Sequence, residues 1–336
     1  MSAYLQLFNE QQKNALLKTR AAERKLGECV DLPISADVKT AIAASNARFV
    51  LLGIPEDIGV RANLGLGGAH TAWMPALQSL LNIQSTTAFS GNELLVLGSI
   101  DCTEWMHAAE AASVSVLRDI VAQMDAHIYP LIQTIVAAGK IPIVVGGGHN
   151  NAYPIIKGVS LGLGQAINCI NMDAHSDYRI MEGRHSGNGF RYARHEGYLN
   201  RYALVGLHEN YNSAAVVADL HADPNIAFSF YEDIFLRQGM SYTTALQQAL
   251  VHASGAPTGI ELDLDCIEHT LSSASSPSGI TVLQARQYVS YMAQHADCRY
   301  IHLTEGAAQL DNGLQSSSTG KLIAYLISDF IKSFPS

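Results

Sequence analysis

The chain has 336 residues, and its 21 Lys and Arg against 30 Asp and Glu give a formal net charge of −9. Hydrophobic residues make up 48% and charged residues only 15%, below the ~25% charged share of ordinary domains, so the chain can bury a large core and is not disordered. The acidic balance argues against nucleic acid as a partner, because phosphate binding needs clustered Lys and Arg.

Short apolar runs alternate with longer helical patterns along the chain. Residues 1 to about 45 are predicted to form a helical extension, and the whole of 1–336 to form one α/β domain. Predicted strands cover 48–53, 93–98, 141–145, 166–172, 202–206, 226–230, 259–265 and 300–305, and helical patterns include 72–82, 104–139, 241–253, 282–295 and 319–333. This alternation predicts right-handed crossovers and a mostly parallel sheet covered on both faces.

Cysteine content and hydropathy indicate a cytoplasmic protein. The chain has 5 cysteines, an odd number without a CxxC pair, and its N-terminus is too polar for a signal peptide. No uncharged apolar run reaches the ~18–20 residues that a transmembrane helix needs. We therefore expect no membrane partner.

Residues that can bind cations or cationic groups stand where four of the predicted strands end. They are His149, Asp173, His175, Asp177, Asp263, Asp265 and Glu305. In open α/β sheets, ligands bind beyond the carboxyl ends of the strands. We therefore expect these side chains, although distant in sequence, to converge on one crevice.

The local spacing indicates metal binding. In an extended segment, residues i, i+2 and i+4 point to one side, as in Asp-x-His-x-Asp at 173–177 and Asp-x-Asp at 263–265. So many carboxylates share a small site only if cations neutralise them. Two Mn²⁺ ions suit this set best, with Fe²⁺, Co²⁺ or Zn²⁺ as alternatives. Each piece alone also fits a turn, a helix cap or a surface histidine, but the set favours two metals.

The motifs together resemble those of the ureohydrolases, the arginase, agmatinase and formiminoglutamase family. They are Gly-Gly-Gly-His at 146–149, Asp-Ala-His-Ser-Asp at 173–177, Glu-Leu-Asp-Leu-Asp at 261–265 and the late Glu305. The resemblance implies an arginase-like, three-layer α/β/α fold with a mostly parallel sheet of about eight strands, a binuclear manganese centre and a homo-oligomer. One metal would be held by His149, Asp173, Asp177 and Asp263. The other would be held by Asp173, His175, Asp263 and Asp265, so that Asp173 and Asp263 bridge.

Several positions depart from the family pattern. Gly148 and Asn150 stand where the family usually has Asp and Ser. Arginases carry a catalytic histidine two residues after a Ser-Gly-Asn segment, and Phe190 occupies that position here. Formiminoglutamases also tend to lack this histidine, and segment 51–70 looks most like theirs. The resemblance is therefore strongest to formiminoglutamases.

The predicted reaction is metal-assisted hydrolysis of a carbon–nitrogen bond in a linear amidine. The favoured substrate is N-formimino-L-glutamate, giving L-glutamate and formamide in histidine degradation. Asp177 is predicted to shuttle a proton, Glu305 to hold the cationic head of the substrate, and His185 to replace the missing acid, with a surface histidine as an equal alternative. An arginase or other guanidino hydrolase, and a metal-binding relative with a structural or regulatory role, remain alternatives.

The loop after the Asp-x-His-x-Asp segment is rich in arginine. Arg179, Arg184, Arg191 and Arg194 lie within 16 residues. Arginine suits bidentate capture of carboxylates, and formiminoglutamate has two, although a solvated loop would explain each arginine singly. The predicted substrate-binding residues are Arg179, Arg184, Ser186 and Asn188. The predicted partner is thus a small amidine or guanidine that bears a carboxylate.

Overall fold

The computed structural model describes residues 4–335, and the strands of this range form one nine-stranded sheet. The strands are β1 (Leu5–Leu7), β2 (Phe49–Gly53), β3 (Leu94–Ile100), β4 (Ile141–Val145), β5 (Ile167–Met172), β6 (Leu199–Leu207), β7 (Ile226–Phe230), β8 (Thr258–Asp263) and β9 (Cys298–Thr304). Strands β2 to β9 pair in parallel, and only β1 at the edge pairs antiparallel, with β3. The mostly parallel sheet of about eight strands is therefore confirmed.

The order of the strands decides where the predicted ligands can meet. Across the sheet the order is β1-β3-β2-β4-β9-β8-β5-β6-β7. The four strands that end in predicted ligands, β4, β9, β8 and β5, are therefore direct neighbours in the middle of the sheet. Because they are parallel, their carboxyl ends lie at the same edge.

Helices cover both faces of the sheet. They are α1 (Glu10–Leu16), α2 (Val38–Ala44), α3 (Ile58–Ala62), α4 (Trp73–Leu81), α5 (Thr103–Ala108), α6 (Val114–Ala137), α7 (Ala152–Leu163), α8 (Gly189–His195), α9 (Ala214–Ala222), α10 (Tyr242–His252), α11 (Val282–His295) and α12 (Thr319–Ser333). Among residues 4–335, no helix combines the length and apolarity needed to cross a membrane.

Two buried apolar clusters fill the space between the sheet and the helices. Side chains alternate along β2, so Leu51 packs into the cluster with α4, α10, α11 and α12. Val50 and Leu52 pack into the other cluster, with α2, α5, α6 and α7. This period of two is what a strand buried on both faces requires, and it gives the predicted three layers.

The N-terminal extension contains a strand in addition to helices. Within residues 4–45, α1 and α2 are helical, but Leu5–Leu7 forms the edge strand β1, which the sequence pattern did not predict. Its three residues are too few to show a periodicity, and their pairing with β3 supplies the structure. Residues 1–3 of the predicted extension lie outside the described range.

Candidate metal centre

The loop after β4 turns sharply to bring His149 to the edge of the sheet. Gly146 and Gly147 have φ of 85° and 77°, a left-handed conformation that glycine adopts without steric cost. A Cβ on Gly147 would also lie only 2.9 Å from Oε1 of Glu56. The glycine run of the sequence is thus needed for both the turn and the close approach of Glu56.

Glu56 anchors this loop, a role that sequence reasoning missed. Its carboxylate is fully buried and accepts five hydrogen bonds at 2.6–3.2 Å. The donors are the backbone N–H groups of Ile58, Gly59 and Gly148 and the side-chain amides of Asn150 and Asn151. Its place three residues after β2, the neighbour of β4, is a sequence signal that could have identified it.

Two site residues adopt an unusual backbone conformation. Asp177, in the loop after β5, has φ of 46°, and Glu305, directly after β9, has φ of 61°. The left-handed region is unfavourable for side chains other than glycine, and such strain concentrates at functional sites. Both residues line the cavity described below.

A first cluster of ligand atoms surrounds His149. Its Nδ1 lies 2.8 Å from Oδ2 of Asp177 and 3.2 Å from one oxygen each of Asp173 and Asp263. The four ligand atoms lie within 4.8 Å of one another. This is the set predicted for the first metal.

A second cluster lies beside it. Nδ1 of His175 is 3.2 Å from Oδ2 of Asp265 and 3.5 Å from Oδ1 of Asp173. Asp173 therefore belongs to both clusters, with Oδ2 near His149 and Oδ1 near His175, an arrangement that suits a bridging carboxylate. Asp263 belongs to the first cluster, with its Oδ1 accepting the backbone N–H of Asp265, and its bridging role stays a prediction.

The carboxylates of the site repel one another. Burial, together with the charge of Asp173, raises the pKa of Asp177 to about 6. Burial and the charges of Asp265 and Asp173 also raise the pKa of Asp263. Burial raises the pKa of Glu305 to about 8, with added repulsion from Asp265 and Asp177. A divalent cation would offset this repulsion.

The buried nitrogen and oxygen atoms of the site can serve as ligands to such a cation. Nδ1 of His149 has three carboxylate oxygens within 3.2 Å, but none of these contacts has the geometry of a hydrogen bond. Oδ1 of Asp265 is buried without a hydrogen bond as well. Imidazole nitrogens and carboxylate oxygens in this arrangement form an N/O donor set typical of Mn²⁺ and related ions.

A cavity of about 620 Å³ opens above the two clusters. Its floor includes His175, Asp177, Asp263, Asp265 and Glu305, and its wall includes Asn63, Arg179, Ser186, Gly187 and Tyr211. The Arg179 side chain is 51% exposed and donates to Asn63 at 2.9 Å and to Glu182 at 3.1 Å. Of the predicted substrate-binding residues, Arg179 and Ser186 thus reach the cavity.

The structure does not bring the other two, Arg184 and Asn188, to the cavity wall. Arg184 is buried, donates to Asp125 at 2.8 Å and to Asn188 at 2.9 Å, and stacks on Tyr153. Asn188 in turn donates to backbone carbonyl groups of the same loop. The backbone N–H of Arg179 donates to the carbonyl oxygen of Gly187 at 2.9 Å, so the chain doubles back between these two residues. Arg179 therefore lines the cavity, while Arg184 contacts the buried Asp125.

His185 is also buried behind the loop. Its Nδ1 accepts the backbone N–H of Gly187 at 3.1 Å, and it is not among the residues that line the cavity. Burial, with the charges of Arg118 and Arg179, lowers the pKa of His185 to about 4. A neutral imidazole in this place favours a structural role over that of an acid catalyst.

Phe190 occupies a position behind the first cluster. Its ring is fully buried, stacks on Tyr202 with centroids 4.4 Å apart and meets the His149 ring edge-on at 5.0 Å. The aromatic side chain therefore supports a predicted metal ligand by packing.

A second cavity, of about 720 Å³, shares no lining residue with the first. Its most buried polar group, Asp57, is already satisfied by Arg61 at 2.8 Å, by His70 at 2.6 Å and by the backbone N–H of Gly68 at 2.9 Å. We assign the functional site to the smaller cavity, because the ligand clusters lie there.

Comparison with known proteins places this geometry in a family. Residues 47–331 match the model described as the arginase family. The chain belongs to the arginase family. Among its curated relatives is the formimidoylglutamase of Geobacillus thermodenitrificans strain NG80-2, 28% identical over 271 residues that cover 78% of each chain. The formimidoylglutamase of Paraburkholderia xenovorans strain LB400 is 25% identical over 306 residues, which cover 85% of this chain and 89% of the relative.

Solved structures described as formiminoglutamases share the fold. The formimidoylglutamase from Bacillus subtilis subsp. subtilis str. 168 superposes with a TM-score of 0.73 at 18% identity, covering 97% of this chain and 98% of the other. Trypanosoma cruzi formiminoglutamase with Mn²⁺₂ superposes with a TM-score of 0.70 at 18% identity, covering 93% of this chain and 100% of the other. The three-layer arginase-like architecture is thereby confirmed.

Proposed function

We propose that this protein is a binuclear-metal hydrolase that converts N-formimino-L-glutamate and water to L-glutamate and formamide. The observation that carries the proposal is the pair of ligand clusters that share Asp173, at the floor of a cavity whose wall presents Arg179. The curated relatives named formimidoylglutamase support the choice of substrate.

Two Mn²⁺ ions are the proposed cofactors, supported by the donor set and by the T. cruzi relative described with Mn²⁺₂. The first ion would be held by His149, Asp173, Asp177 and Asp263, and the second by Asp173, His175, Asp265 and Asp263. When bound, the ions supply the Lewis acidity that activates water for attack on a planar amidine carbon.

Glu305 is proposed to orient the cationic head of the substrate. Oε1 of Glu305 accepts the backbone N–H of His149 at 2.9 Å, which fixes the carboxylate beside the ligands. The residue also lines the cavity, so a formimino group above the metals would meet an acceptor there. An amidinium donating to a carboxylate forms a charge-assisted hydrogen bond, which is stronger than a neutral one.

Asp177 is proposed to move the proton. Its Oδ2 lies at His149, and the residue also lines the cavity, so one carboxylate touches both the ligand cluster and the place of the substrate. A carboxylate in this position can take a proton from the attacking water and give it to the departing nitrogen.

Arg179 and Ser186 are proposed to bind a substrate carboxylate. Asn63 accepts from the Arg179 guanidinium at 2.9 Å and donates to the Ser186 hydroxyl at 3.3 Å, so the three residues form one polar wall. Arg184, Asn188 and His185 are proposed to shape the loop that carries this wall.

A substrate panel tests the proposed function. Mn²⁺-loaded protein is incubated with N-formimino-L-glutamate, arginine and agmatine, and formamide, glutamate and urea are measured. We expect turnover of formiminoglutamate above the other two. Absence of turnover of any of them, with two Mn²⁺ ions per chain, would favour the non-catalytic alternative.

The compartment and the oligomer also remain proposals. We propose a cytoplasmic protein, supported by the five described cysteines, which are all free. The homo-oligomer implied by the family resemblance is tested by light scattering of the purified protein.

A further inference from the structure

His149 has a second ring nitrogen that faces away from the carboxylate clusters. Its Nε2 lies 3.4 Å from Oε2 of Glu261, at the long limit of a hydrogen bond. Both side chains are fully buried, and no described residue forms a hydrogen bond with this nitrogen. Glu261 is therefore the acceptor best placed to satisfy it.

Glu261 is itself held on both oxygens. Tyr300 donates its hydroxyl to Oε1 at 2.7 Å, and His302 places Nδ1 2.7 Å from Oε2. The three residues come from adjacent strands, with Glu261 of β8 in register with His302 of β9. Because Tyr300 and His302 are two residues apart, they share one face of β9. The carboxylate is thus locked in orientation behind the ligand.

The three side chains His149, Glu261 and His302 are also close enough to hold a cation of their own. The contacts of His302 argue against this. Its Nε2 lies 3.3 Å from the carbonyl oxygen of Gly146, which can only accept, and its Nδ1 faces a carboxylate oxygen. Both ring nitrogens of His302 therefore already face protein oxygens, which accept hydrogen bonds, rather than an open ligand position.

We propose that Glu261, held by Tyr300 and His302, is a positioning residue that accepts the Nε2 proton of His149 and so directs the Nδ1 lone pair at the first metal site. Carboxylates behind ligating histidines commonly fix the tautomer and strengthen the ligand, and their loss typically costs about 10- to 100-fold in metal affinity. This inference rests on the proposed metal centre. It predicts that the first site alone depends on Glu261, because His175 of the second site lies outside this network.

The test is Mn²⁺ titration of the metal-free full chain by calorimetry, with electron paramagnetic resonance at each equivalent. Glu261→Gln should weaken one of the two sites by about 10- to 100-fold and leave the other unchanged. The resonance signal of paired manganese ions should then give way to that of single ions. Tyr300→Phe, which removes one donor from the same carboxylate, should shift the same site in the same direction by less.

Glu93→Gln is the matched control. Glu93 is a half-buried glutamate that binds the turn at 90–91 before β3, at the opposite end of the sheet. It should leave both Mn²⁺ affinities unchanged. If Glu261→Gln does not fold, Tyr300→Phe carries the test.

The outcomes separate the two proposals. Wild-type affinities at both sites in folded Glu261→Gln and Tyr300→Phe would overturn the positioning role, as would equal weakening of both sites with a lower unfolding temperature of the metal-free chain. Wild-type protein that binds fewer than two Mn²⁺ ions would instead overturn the metal centre.

Discussion

Replacing Arg184 by Ala should destabilise the protein without a specific effect on substrate binding. The Arg184 and Asp125 side chains are only 5% and 7% exposed, and their closest contact is 2.8 Å. Arg184 also donates to the carbonyl oxygen of Asn150 at 2.7 Å. Removing one partner of a buried ion pair typically costs about 3–5 kcal/mol, because the other charge stays buried and unpaired.

The pH dependence of this loss has a definite sign. Burial raises the pKa of Asp125 to about 6 even beside Arg184, and the Arg184→Ala variant should raise it further. When a carboxyl group has a higher pKa in the folded protein than in the unfolded chain, the protein becomes less stable as the pH rises, because the folded state must keep a proton that the unfolded chain releases. The free-energy deficit of the variant should therefore grow as the pH rises above about 6.

Urea unfolding of wild type and variant between pH 5 and pH 8 measures this deficit, and the double variant Arg184→Ala with Asp125→Asn should recover part of it.

Arg179→Ala is the contrasting change. Its half-exposed ion pair with Glu182 contributes ~0–1 kcal/mol, but a lost carboxylate contact of ~1.5–3 kcal/mol should reduce kcat/KM by roughly 10- to 150-fold, mostly through KM. Unchanged stability of Arg184→Ala, or unchanged kcat/KM of Arg179→Ala, would refute the division of roles between the two arginines.

Further predictions concern the centre and its support. Asp263→Asn should bind less Mn²⁺, as measured by elemental analysis. Its activity should fall by more than the ~10- to 100-fold that is typical when a residue supporting a metal ligand is replaced. The metal-free chain should lose thermal stability as the pH rises from about 4 to 8, because Asp177 and Glu305, with pKa about 6 and about 8, keep protons that the unfolded chain releases; a rise instead would contradict those shifts. Glu56→Gln should lower the free energy of unfolding in urea by ~1–3 kcal/mol. The NH₂ group of the new glutamine would face the buried N–H donors of Gly148 and Asn151, which now bind the carboxylate. Phe190→His should gain no urea release from arginine, because this side chain is fully buried outside the cavity lining.

The residues of the two ligand clusters could be grouped from the sequence because they follow strand ends. Parallel strands place their carboxyl ends at one edge, so His149, Asp173 and Asp263 could be brought together without knowing the strand order. The order then made their strands neighbours. Glu261 was part of a recognised motif, but its contact with His302 depends on the register of two strands, which periodicity does not give.

Helix α7 shows where local patterns fail. Its segment, 152–163, contains one proline and two glycines and was not named among the helical patterns of the sequence. A Cβ on Gly158 would lie 2.6 Å from the carbonyl oxygen of Tyr129 and from Cβ of Ile132, both in α6. Gly158 therefore allows close packing of α7 against α6, and this tertiary contact outweighs the low helix propensity.

The arginine loop shows a second limit. Spacing of two residues directs side chains to one side only while the chain is extended, and Arg179, two residues after Asp177, does reach the cavity. Beyond it the loop turns, so the direction of Arg184 could not be derived from spacing.

Release of formamide from N-formimino-L-glutamate by the Mn²⁺-loaded chain is the decisive measurement of the proposed activity. With two Mn²⁺ ions bound per chain, we expect formamide and glutamate in equal amounts, at a rate above that of urea release from arginine. Absence of formamide from protein that holds both ions, or faster release of urea from arginine, would contradict it.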